Sequence, residues 1–116
     1  MLWAVGEPRR LRTTTRAMID DPANAVFVSS ASVWEVSIKA AGNKLKLRGD
    51  LRQTLEQSGF EALEITHDHA ATAGSLPRHH GDPFDRMLVA QAQLEGLTLV
   101  TSDRKLAAYD VALLPA

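Results

Sequence analysis

The 116-residue sequence contains no cysteine. That removes disulfide frameworks, Cys-ligated zinc and thiol nucleophiles together, leaving carboxylates, imidazoles and hydroxyls to carry any chemistry. No apolar run approaches the roughly 18 residues needed to cross a bilayer. The opening Met1-Leu2-Trp3-Ala4-Val5-Gly6-Glu7 also lacks the basic region and long apolar stretch of a secretion signal, so a cytoplasmic protein is expected. Neither sign of charge dominates, with 13 Lys+Arg against 14 Asp+Glu. Any contact with a polyanion must therefore be local. Aromatics are few, at 5%, while 45% of residues are hydrophobic and 23% charged. This is the composition of one ordinary globular domain spanning 1–116, long enough to bury about two-thirds of its unfolded surface.

Apolar runs and helical patterns alternate along the chain. Residues 7–22 open on Pro8 and close on Asp21-Pro22, with Leu11, Met18 and Ile19 able to form one buried stripe of a helix. Ala25-Val26-Phe27-Val28-Ser29 reads as a buried strand and Ser30 to Ala41 as a helix carrying Val33, Trp34, Ile38 and Ala41. The basic Lys44-Leu45-Lys46-Leu47-Arg48 and a short helix over 51–57 precede a second strand, Phe60 to Ile65. Thr66 to Ala73 is predicted helical, 76–83 a loop, and Asp85 to Leu94 a helix stopped by Gly96. Leu97 to Val100 is a third strand, followed by a helical turn from Asp103 to Tyr109 and an apolar terminal piece at 111–114. Alternating strands and helices predict an α/β fold, a parallel sheet with helices on its faces.

Three acids fall near helix starts: Glu35, Asp85 and Asp103. Each has an ordinary structural reading. Ser32-x-x-Glu35 fits a capping box, Asp82-Pro83-x-Asp85 a capped start with proline at the first helical position, and Asp103 a favourable charge at a helix dipole. The alternative follows from position. Acids placed just beyond strand ends of a parallel sheet converge on the crevice where ligands bind. Converging carboxylates repel, and a hard cation such as Mg2+ or Mn2+ relieves the repulsion while supporting phosphodiester cleavage.

Ser30-x-x-x-Trp34-Glu35-x-x-x-Lys39, then Leu76-Pro77-Arg78-His79-His80-Gly81-Asp82-Pro83-Phe84-Asp85-Arg86-Met87, then Leu99-Val100-Thr101-x-Asp103, taken in this order, resemble PIN-domain ribonucleases, specifically the VapC-type toxins of toxin-antitoxin modules. The resemblance implies a PIN-like α/β fold and a metal-dependent endoribonuclease held inactive by a VapB-like antitoxin. It also implies that Glu35, Asp85 and Asp103 are catalytic metal-site carboxylates. Asp82 would be a nearby loop acid, Thr101 a hydroxyl bonding the site, and Arg86 either a site neighbour or a surface charge.

Members of that family open with an apolar strand ending in Asp, and this sequence begins downstream of it, at Met1-Leu2-Trp3-Ala4-Val5. The expectation is an N-terminally truncated domain whose sheet closes up, borrows a strand or exchanges elements, with a rearranged or swapped homodimer favoured. Fewer carboxylates hold a cation less well, so reduced or absent ribonuclease activity is expected. The competing reading is a catalytically inactive PIN-like module that binds an antitoxin or other protein.

The remaining features read as structural. His67, His69, His79 and His80 lack chelating spacing and are expected to be exposed or packed on loops. Lys44 to Arg48 reads either as a solvated turn with its two leucines anchored in the core or as a contact for RNA phosphates, the first favoured because no aromatic neighbours would stack RNA bases. Trp34 is expected in the core.

Overall fold

A computed structural model of the chain describes residues 2–3, 23, 25–42, 53, 56–57, 59–79, 81–101 and 103–115. Among these, strands β1 (Leu2–Trp3), β2 (Phe27–Ser29), β3 (Glu61–Leu63), β4 (Leu99–Thr101) and β5 (Leu113–Pro115) form one sheet in the order β3-β2-β1-β4-β5. Every pairing is parallel. Helices α1 (Ser30–Ala41), α2 (His67–Ser75) and α3 (Pro83–Glu95) and a short 3-10 helix (Arg104–Ala108) connect the strands. The expected parallel α/β architecture is present, and the apolar C-terminal piece adds an edge strand to it. Helices expected over 7–22 and 51–57, and the Lys44 to Arg48 stretch, lie wholly or largely outside the described residues.

The centre of the sheet is filled from within the chain. Leu2 pairs with Phe27 on one side and Leu99 on the other, and Trp3 pairs with Val100. The gap that motivated strand exchange between two chains is occupied by Leu2–Trp3, so the sheet is continuous without a borrowed strand. No helix among the described residues is long and apolar enough to cross a membrane.

Strand alternation assigns the two faces. Phe27, Leu63, Leu99 and Leu113 pack in the cluster formed by Ala73 and Leu76, by Leu88, Val89, Ala90 and Ala92 of α3, and by Leu106 and Tyr109. Val28 and its register partner Ala62 point to the opposite face, where Ser30 and Val33 of α1 lie beside them. Leu99, Leu106, Val89 and Val100 are at most 1% exposed. Full burial of such side chains contributes about 1.5–3 kcal/mol each.

The helix ends follow local chemistry. Ser29 has extended backbone and its Oγ accepts the Ala31 N–H at 3.0 Å, which starts α1 at Ser30. Ser29, not Ser32, is therefore the cap, and the capping box expected between Ser32 and Glu35 does not form. Thr66 and His69 make the capping box of α2 instead. Asp82 caps α3 with Pro83 in the first turn, as the sequence predicts, and Gly96 ends it with φ 65°. A β-carbon at that left-handed position would strain the turn.

Trp34 is 61% exposed, contrary to the expectation of a core tryptophan. The buried residues of α1 are Ala31, Ser32 and Val36, and at about 100° per residue Trp34 falls on the opposite side of the helix. His69 likewise departs from expectation: it is 2% exposed and lies in a buried polar network. Thr66 N–H donates to His69 Nδ1 at 3.1 Å and the Gln91 amide approaches the same nitrogen at 3.3 Å. Nδ1 is thus the acceptor, leaving Nε2–H to donate to Glu95 Oε1 at 2.8 Å. Gln91 also donates to the Glu64 carbonyl at 3.3 Å and accepts from Ser29 Oγ at 2.5 Å. His67 and His79 are exposed, the latter edge-on to Tyr109, and His80 is outside the described residues.

Replacing Gln91 with Ala would strand the Ser29 hydroxyl and leave a gap in the buried network. Gln91→Ala should lower stability by about 1–3 kcal/mol, read as a fall in urea midpoint at unchanged slope.

Candidate active site

The described chain contains ten acidic residues, and their burial divides them sharply. Glu35, Asp82, Asp85 and Asp103, the four singled out from sequence, are each half-buried, whereas Glu56, Glu61, Glu64, Asp68, Glu95 and Asp110 are exposed. Removing a carboxylate from water is costly unless a partner or a task compensates. Two of the four cap helix starts. Asp82 Oδ1 accepts the Phe84 N–H at 2.8 Å and the Asp85 N–H at 3.3 Å, capping α3. Asp103 Oδ1 accepts the Lys105 N–H at 2.9 Å, capping the 3-10 helix.

Thr101 ends β4 and its hydroxyl accepts the Asp103 N–H at 3.1 Å, fixing the backbone that carries the acid. Asp85 stands in the first turn of α3, one residue past Phe84. The Phe84 ring meets Trp34 edge-on, centroids 5.1 Å apart, so the start of α3 is seated against α1. Glu35 and Asp82 consequently line one cleft, with Ile38, Lys39, Pro83 and Phe84 completing its wall.

Glu35 differs from the other half-buried acids. It makes no hydrogen bond or ion pair among the described residues, and with Ser29 as the cap it has no place in a capping box. A half-buried carboxylate without a structural partner is available for chemistry.

Arg86 has a structural role. Its guanidinium donates to the carbonyls of Ala73 at 2.9 Å, Leu76 at 3.0 Å and Pro77 at 3.1 Å, closing the C-terminal end of α2 and the loop into α3. Its Nη1 also lies 3.4 Å from the Tyr109 hydroxyl. This clamp holds the loop bearing Asp82.

Among the described residues no three Asp, Glu or His side chains gather into a group that could hold a metal ion. The described side chains alone do not form a Mg2+ or Mn2+ site. One oxygen of Asp82 and one of Asp103 accept helix-start amides. Sequence reasoning missed the partners of Arg86, for which the only local signal was a charged residue one step beyond an acid.

The PIN domain family profile matches residues 1–112. The chain belongs to the PIN domain family. This PIN domain is 33% identical over 110 residues to Ribonuclease VapC22 of Mycobacterium tuberculosis, covering 92% of this chain and 84% of the relative. Among solved structures it is similar to FitAcB from Neisseria gonorrhoeae, with TM-score 0.69 and 25% identity over 98% of this chain and 96% of that one. A toxin-antitoxin complex from Klebsiella pneumoniae shares the fold, with TM-score 0.67 and 20% identity over 97% and 94% of the two chains.

Because Arg86 makes charge-assisted bonds to three carbonyls, Arg86→Ala should cost about 1.5–3 kcal/mol. Amide hydrogen exchange through 76–82 should quicken with it. Unchanged exchange there would remove the clamp.

Proposed function

We propose that this PIN domain is the toxin of a VapC-type toxin-antitoxin pair, an endoribonuclease by descent whose own hydrolytic rate is low. Glu35, Asp85 and Asp103 are its catalytic carboxylates, with Asp82 and Thr101 holding their surroundings. The observation that carries this reading is the separation of the acids by burial: Glu35, Asp82, Asp85 and Asp103 are half-buried while the other described acids are exposed. Similarity to a ribonuclease along 92% of the chain supports RNA as the substrate, and the toxin-antitoxin complex among its structural neighbours supports an antitoxin as partner.

In phosphodiester hydrolysis a carboxylate near the phosphate takes a proton from water or holds a cation. Glu35 suits either task, since nothing in the described fold occupies its oxygens. The resemblance that suggests ribonuclease activity also suggests dependence on Mg2+ or Mn2+. The ungathered carboxylates give the reason for expecting slow turnover. They equally favour a second reading, a PIN-like module that binds its antitoxin without cleaving RNA.

The two readings separate in an assay of single-stranded RNA cleavage with Mg2+ or Mn2+ supplied and withheld. Slow metal-dependent cleavage is expected, falling by roughly a hundredfold or more in Glu35→Gln. Cleavage indifferent to that substitution would contradict the assignment, and no cleavage at any metal concentration would leave the binding module.

A further inference from the structure

The edge of the sheet at β3 carries a second surface, separate from the cleft of Glu35 and independent of the ribonuclease reading. Strand β3 pairs with β2 alone among the described strands. The Glu61 N–H donates to the Val26 carbonyl at 2.9 Å, so Glu61 and, two residues on, Leu63 turn their backbone groups toward β2. Ala62 between them turns its N–H and C=O outward, away from the sheet. Beside this edge lies a groove of about 280 Å³ with Val28, Val33, Phe60 and Ala62 among its lining. Glu56, Glu61 and Glu64 border it, all three exposed, and no Lys or Arg is among its described lining residues.

These features are complementary to one kind of partner. An unpaired edge with a small side chain at its outward position accepts an added strand. Along an added strand, alternate side chains would lie over the Val28, Val33 and Phe60 surface, and the others on the face of Glu61. Three exposed carboxylates on this edge favour Lys or Arg on the incoming segment and disfavour acidic ones.

We infer that the β3 edge is a docking site for an extended basic segment of a protein partner, which adds as a further strand through the outward backbone of Ala62 while its Lys or Arg side chains meet Glu56, Glu61 and Glu64. The surface lies outside the acids assigned to RNA cleavage, so occupancy of the edge and loss of nuclease activity are separable.

The test uses the full chain and a fluorescent peptide of alternating lysine and valine, followed by anisotropy. Binding should weaken as salt rises from about 0.05 to about 0.5 M. It should fall by about tenfold or more in the double variant Glu61→Lys with Glu64→Lys, whose changes are at exposed positions. Ala62→Pro should also abolish binding, because it removes the outward donor while leaving the bonds to β2 in place. Circular dichroism checks that this variant folds; if it does not, the exposed-charge variant still decides. No binding by the parent chain, equal binding of an alternating glutamate and valine peptide, or binding unaffected by the charge reversal would overturn the proposal. So would a chain dimer that the peptide fails to displace, since a second copy would then own the edge.

Discussion

Gln91 is a fully buried amide whose two ends are both bonded. One end accepts from Ser29, the residue that finishes β2 and caps α1; the other reaches the Glu64 carbonyl beyond β3 and the ring of His69 in α2. A polar side chain in such a position is tolerated only when satisfied, and the cost of leaving its partners unmet specifies a single arrangement. Through it the start of α1, the entry to α2 and the middle of α3 are held in one register. The acids at the helix starts inherit that register. Glu35 is carried by α1, while Asp82 and Asp85 are carried by α3, and the contact of Trp34 with Phe84 brings the two helices together at the cleft.

Around this frame Asp82 and Asp103 each accept the amides of a helix start, and Arg86 closes the carbonyls at the end of α2. Glu35 is half-buried and its carboxylate has no partner among the described residues, which leaves its oxygens open to chemistry. The family relation gives that chemistry a direction.

Much of this was legible from local sequence. Asp82-Pro83 and Gly96 define the ends of α3 because a proline fits the first turn and a glycine the left-handed exit. The apolar runs over 25–29 and 97–100 mark β2 and β4 because both lie inside a parallel sheet. The burial of α1 was not legible. Its large side chains suggested the inner face, yet the small Ala31 and Ser32 lie against the fold while Trp34 and Ile38 face outward. Nor could the sequence reveal that His69 would serve as a helix-capping acceptor, since its donors come from Thr66 and from Gln91, 22 positions away. Whether separate acids meet depends on long-range packing, and no spacing along the chain encodes it.

The most direct measurement is the folding free energy of Glu35→Gln by urea denaturation. If the carboxylate of Glu35 is held for chemistry, neutralising it should leave stability unchanged or raise it, because a half-buried charge without a partner is removed at nearly constant shape. A loss of more than about 1 kcal/mol would mean that the fold itself depends on that charge, and the assignment of Glu35 to a functional site would fail.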